Sequence, residues 1–97
     1  MTDIQFLQTL EGIIDDRLAC RPDESYTAKL AAKGTAKLAQ KVGEEGVEVA
    51  LAAVGGDREE LVNEAADLLF HLLILLRTQS LCLEDVVGKL AERHSAA

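Results

Sequence analysis

A chain of 97 residues, 48% hydrophobic, with two Phe, one Tyr and no Trp, builds one packed domain, and such apolar content excludes intrinsic disorder. Seventeen Asp+Glu against 10 Lys+Arg leave a net charge of -7, which excludes nucleic acid held by general electrostatics. Cys20 and Cys82 form neither a disulfide framework nor a metal motif, the N-terminus has no signal-peptide core, and the apolar run Leu68–Leu76 is too short to span a bilayer, so a reduced, cytoplasmic, membrane-free protein is expected.

The first predicted element runs over about Asp3 to Cys20, where Ile4, Leu7, Leu10, Ile14 and Leu18 recur at the three- and four-residue steps of one helical stripe. Arg21-Pro22 stops it, because proline pushes the preceding residue out of the helical region. Pro22 to Ser25 reads as a polar linker. Ser25 or Thr27 can cap a second helical stretch from Ala28 to about Lys33, which Gly34 interrupts. Thr35 restarts the helix, which continues to Val54, and Gly55-Gly56 ends it by supplying positive φ. Asp57, with Glu60 three positions on, is close to a capping box and opens a helix from Arg58 to about Gln79. The second half of that helix, AADLLFHLLILL, is apolar nearly all round, which predicts burial against a second copy of the chain. A last helix covers about Leu83 to Arg93, with Glu84 and Asp85 early and Lys89 and Arg93 late, as the helix dipole favours. The expected fold class is all-α: a four- to five-helix bundle in one domain over residues 1–97, assembled as a dimer.

Two segments carry chemistry. In Lys41-Val42-Gly43-Glu44-Glu45-Gly46-Val47-Glu48, Glu45 and Glu48 share a helix face, as do Glu64 and Asp67 in Glu64-Ala65-Ala66-Asp67. If the chain folds back at Gly55-Gly56, both pairs lie roughly 14 Å from the turn at 1.5 Å rise per residue, and four carboxylates converge. Crowded carboxylates must take up protons or bind cations. With no Cys or His at ligand spacing on these faces, Mg²⁺ (or Mn²⁺) fits better than Zn²⁺, which points to metal-assisted phosphate chemistry. The plain alternative is a solvated acidic helix face.

Lys29, Lys33, Lys37 and Lys41 repeat every four residues in a stretch without acids, and would form one stripe if the helix ran through Gly34. They read either as a phosphate track or as a solvated face. Ser25, Tyr26 and Thr27 read as ligand contacts or as a cap with an anchoring aromatic. His71, four residues after Asp67, reads as a hydrogen-bonded core histidine or as a group orienting that carboxylate. Gly43 and Gly46 beside the acids read as a close approach of ligand or helix, or as a kink.

These residues resemble the phosphoribosyl-ATP pyrophosphatases of histidine biosynthesis, within the broader all-α nucleotide pyrophosphohydrolases. The resemblance is carried by SYTAKL (Ser25–Leu30), Gly34, Lys37, KVGEEGVEVALAA (Lys41–Ala53), ELVNEAADLLFHLLILL (Glu60–Leu76), LEDVVGKL (Leu83–Leu90) and Arg93-His94. Gly46 departs from the pattern, where Ala is expected, and removes no ligand. The resemblance implies Mg²⁺-dependent hydrolysis of phosphoribosyl-ATP at the α–β phosphoanhydride, a cytoplasmic homodimer, and association with the cyclohydrolase that acts next. Some relatives are fused to that enzyme; here a stand-alone domain is expected. Carried over by position, Glu45, Glu48, Glu64 and Asp67 are metal ligands, and Glu44 is a further ligand or the base that orients water. Lys37 and Lys41 contact phosphates, with Ser25, Tyr26, Thr27 and Lys29 as further substrate contacts. Two other readings compete: a MazG-like house-cleaning nucleotide pyrophosphatase using the same acids, and a non-catalytic acidic dimerisation module.

Overall fold

Ser25 and Asp57, each just ahead of a run of helix formers, set two of the five helices found in a computed structural model that describes residues 3–95. In chain order these are α1 (Phe6–Leu18), α2 (Tyr26–Ala32), α3 (Thr35–Gly55), α4 (Arg58–Thr78) and α5 (Leu83–His94). No strand occurs among the described residues, so the fold is all-α as expected. Residues 1–2 and 96–97 of the expected domain lie outside the described residues.

Local chemistry explains where the helices begin and end. Gln5 supplies no side-chain cap, so residues 3–5 enter α1 through turns in which Phe6 N–H donates to the Asp3 carbonyl (3.1 Å) and Leu7 N–H to that of Ile4 (3.2 Å). The helix is therefore shorter than the apolar stripe predicts. Ser25 Oγ accepts from Ala28 N–H at 3.2 Å, which makes Ser25 the cap and starts α2 at Tyr26 rather than Ala28. Thr27 lies inside that helix and is buried. Gly34, with φ 100°, breaks the path between α2 and α3. Gly56 closes α3 in the left-handed region (φ 76°), and Asp57 Oδ1 then accepts from Glu60 N–H at 3.0 Å to open α4. At the end of α4, Ser80 takes the positive φ (61°) that glycine usually supplies. Leu81 N–H reaches back to the Leu76 carbonyl at 2.8 Å, so two orphan carbonyls find donors in a Schellman arrangement with Ser80 N–H on Arg77.

Four helices meet in one core. Ile14 (α1), Leu30 (α2), Leu38 (α3), and Leu73 and Ile74 (α4) are buried together, with Leu7, Leu10, Leu18, Phe70, Leu75, Leu76 and Leu83 packed around them. Arg77 clamps α4 to α1 through a two-pronged bond to Asp15 (2.8 and 3.1 Å). Glu11 Oε2 accepts from Leu83 N–H at 2.8 Å and so satisfies an orphan donor at the start of α5. Asp85 accepts from Cys82 N–H at 2.9 Å, a bond that holds its carboxyl below the ordinary range.

The apolar second half of α4 is better covered by its own chain than the sequence suggests. His71, Leu73 and Ile74 are buried, their neighbours are mostly half-buried, and Leu69 is exposed. Helices α1, α2 and α3 all pack against α4 and account for this cover. More uncovered apolar surface lies elsewhere, including Val47, Leu51 and Val54 on α3, Val62 early in α4, and Val86, Val87 and Leu90 on α5, which buries no residue of its own.

Candidate metal centre

Helices α3 and α4 form the most extensive contact in the molecule, a hairpin closed by the Gly56 turn and the Asp57 cap. Because each helix repeats its faces every three or four residues, this pairing brings acids of both helices together. One carboxylate oxygen from each of Glu45, Glu48 and Glu64 lies within 4.8 Å of the others. Glu45 is buried at 4% exposure, Glu64 is half-buried and Glu48 is exposed.

Glu45 is the anchored member. Its Oε1 lies 3.4 Å from Lys41 Nζ and 3.4 Å from His71 Nδ1, while its Oε2 is closed off from solvent with no hydrogen-bond partner. The bond to Glu45 raises the Lys41 ammonium pKa. Glu64 Oε2 is likewise buried and unpartnered. The neighbouring carboxyls of Glu60 and then Glu48, with which a proton on Glu64 can be shared, push its pKa up to about 7, and burial adds to the shift.

The other sequence candidates fall around this cluster in different ways. Asp67 is exposed and is not among the three clustered acids; its backbone carbonyl, rather than its carboxylate, bonds His71 Nδ1 at 2.8 Å. Glu44 is exposed and accepts from Gln40 Nε2 at 3.3 Å. Gly34 breaks the lysine stripe. Lys29 lies on α2, where it lines a cavity of about 720 Å³ with Pro22, Asp23, Glu24, Ser25 and Tyr26, while Lys37 and Lys41 lie on α3. Thr27 is buried in α2 and is not part of that wall. A Cβ at Gly43 or Gly46 would meet nothing within 4 Å, so among the described residues no other element approaches them closely.

Sequence reasoning passed over two features. Glu60 reads locally as a capping acid, although its four-residue spacing to Glu64 already puts both on one face. The bond between Tyr26 hydroxyl and His71 Nε2 at 2.7 Å joins residues 45 apart, and no local pattern announces it.

Residues 7–94 match the profile of the phosphoribosyl-ATP pyrophosphohydrolase family. The chain belongs to that family. Among its relatives, the histidine biosynthesis bifunctional protein HisIE of Vibrio cholerae is 57% identical over 89 residues, covering 92% of this chain and 42% of the relative. That of Yersinia pestis is 57% identical over 93 residues, covering 96% and 46%, and that of Shewanella oneidensis 54% over 92 residues, covering 95% and 44%. The chain therefore spans less than half the length of these curated relatives. No single helix among the described residues is long and apolar enough to cross a membrane.

The composition of the cluster suits a hard divalent cation. Its donors are carboxylate oxygens alone, the set that hard cations such as Mg²⁺ prefer and that Zn²⁺ does not select. Two of the three acids also carry a buried oxygen without a partner, which a cation would satisfy.

Proposed function

We propose that the chain hydrolyses phosphoribosyl-ATP at the α–β phosphoanhydride to phosphoribosyl-AMP and pyrophosphate, the second step of histidine biosynthesis. The observation that carries this reading is the convergence of Glu45, Glu48 and Glu64 in a chain of this family. These three acids hold Mg²⁺, with Mn²⁺ as a substitute, and exposed Asp67 is the fourth acid assigned to it. When bound, the cation supplies positive charge to the triphosphate and to the departing pyrophosphate. Glu44 accepts a hydrogen bond from the attacking water and orients it. Lys37 and Lys41 contact phosphates, and Lys41 does so from its place beside Glu45. Ser25, Tyr26 and Lys29 present the cavity wall to the rest of the substrate.

The assembly in this reading is a cytoplasmic homodimer in which a second copy covers the apolar positions of α3 and α5 (Leu51, Val54, Val87 and Leu90). The relatives' bifunctional names support association with the enzyme of the next step.

The test is pyrophosphate release from phosphoribosyl-ATP with Mg²⁺ and with chelator, in wild type and Glu48→Ala. Release only with metal and only from wild type supports reaction and cluster together. Preference for a common deoxynucleoside triphosphate moves the assignment to the MazG-like enzymes. No release with any metal returns the chain to the class of acidic helical modules.

A further inference from the structure

Thr27, Glu45 and His71 are the buried polar side chains among the described residues, and two of them, Glu45 and His71, touch. His71 Nδ1 lies 2.8 Å from the backbone oxygen of Asp67, which can only accept, so Nδ1 carries the hydrogen. In a neutral imidazole Nε2 is then bare and accepts from Tyr26 O–H at 2.7 Å. Both ring nitrogens are satisfied, and the tautomer is set from the two sides. Edge-on contacts to Phe70 (centroids 5.3 Å) and Tyr26 (5.8 Å) hold the ring plane as well.

The same Nδ1–H lies 3.4 Å from Glu45 Oε1, whose other neighbour is Lys41 Nζ at 3.4 Å. With Oε1 flanked by the Lys41 ammonium and the His71 N–H, Oε2 is the atom left buried and open to a cation. We infer that His71 is a positioning residue for the carboxylate cluster, and that Tyr26, from the cavity wall, locks it in the Nδ1–H tautomer that orients Glu45. A ligating carboxylate held in this way by an N–H contact from outside the ligand set does not have to be ordered when metal arrives. The inference rests on the reading of Glu45 as a ligand, and it gives Tyr26 a role that needs no contact with substrate.

The test uses Mn²⁺ alone, with no nucleotide, so that any effect of Tyr26 is separated from substrate contact. Mn²⁺ binding is measured by electron paramagnetic resonance for wild type, Glu45→Gln, His71→Asn and Tyr26→Phe. Thermal unfolding in chelator is recorded for each, and the His71 nitrogens of the wild type are observed by ¹⁵N NMR. The expected result is an Nδ1–H tautomer in wild type and Mn²⁺ affinity weakened about ten- to a hundred-fold in His71→Asn. Tyr26→Phe, which removes one oxygen from a half-exposed ring, is expected to weaken Mn²⁺ binding while the protein stays folded in chelator, its melting temperature lowered by no more than the loss of one hydrogen bond costs, and it decides the matter where His71→Asn fails to fold. Wild-type affinity in Tyr26→Phe, or an Nε2–H tautomer, overturns the inference even when Glu45→Gln abolishes binding. If wild type takes up no Mn²⁺, or Glu45→Gln binds it as well as wild type does, the ligand reading of Glu45 falls and takes the inference with it.

Discussion

Ile4 and Ile14 stand on one predicted stripe of α1, yet Ile14 is fully buried and Ile4 is 78% exposed. The same deletion, Ile→Ala, therefore has different costs at the two positions. At Ile14 it removes three carbons from the cluster of Leu30, Leu38, Leu73 and Ile74, a transfer loss of about 2.4 kcal/mol at about 0.8 kcal/mol per carbon. The cavity left behind adds about 1–2 kcal/mol, because the four helices lining it relax only in part. The expected loss of about 3.5–4.5 kcal/mol is a large share of the roughly 5–15 kcal/mol available to a domain of this length. It should lower the melting temperature by roughly 14–36 °C. At Ile4 the change is expected to stay within about 0.5 kcal/mol. Urea unfolding followed by far-ultraviolet circular dichroism at one protein concentration measures both, with the slope of stability against urea expected to stay constant. A loss at Ile14 below about 1 kcal/mol, or no larger than that at Ile4, would refute the docking of α1 into the shared core.

Three further outcomes are expected. The folded-state pKa of Glu64, about 7, lies above its ordinary value of 4.5 because Glu60 and Glu48 face it, with Glu45 in the same cluster, so the folded metal-free protein binds the proton more tightly than the unfolded chain. Its stabilising effect is present below the unfolded value and is lost as pH rises through about 7. Melting temperatures in chelator should therefore fall between pH 5 and 8, and Glu64→Gln should flatten this part of the curve; identical wild-type and variant profiles would contradict the assignment. Gly56→Ala should destabilise by about 1–2 kcal/mol, since φ 76° lies in the left-handed region that L side chains rarely adopt. Gly43→Ala, inside α3 with open space around its Cβ, should stabilise by about 0.5–1 kcal/mol, and thermal unfolding of the pair would show whether the backbone geometry is right. Leu51→Asp, on the uncovered face of α3, should shift sedimentation towards monomer with secondary structure retained; a wild type already monomeric at high concentration would remove the proposed dimer.

What could be read in the sequence was what depends on neighbours in the chain. The amphipathic stripe of α1, the break at Gly34, the Gly56 stop and the Asp57 start all follow from backbone preferences acting over a few residues, and all are present in the fold. The spacing of Glu45 with Glu48, and the matched distance of Glu64 from the turn, were legible for the same reason: a helix converts sequence interval into position on a face. Helix rotation was not legible. Asp67 shares a face with Glu64 by spacing, but how α4 is turned against α3 leaves it exposed and puts Glu64 beside Glu45 and Glu48 instead. The four lysines looked like one track only while the helix could be drawn through Gly34, whose φ of 100° separates Lys29 from Lys37 and Lys41. Ile4 and Ile14 were equivalent in pattern and differ in burial, because only the packing of four helices decides how far a stripe extends into the core. The bond from Tyr26 to His71, and the contact from His71 to Glu45, link three separate helices, α2, α4 and α3. Such contacts depend on how helices dock, a global outcome of burying Leu38, Leu73 and Ile74 together, and no local interval in the chain encodes it.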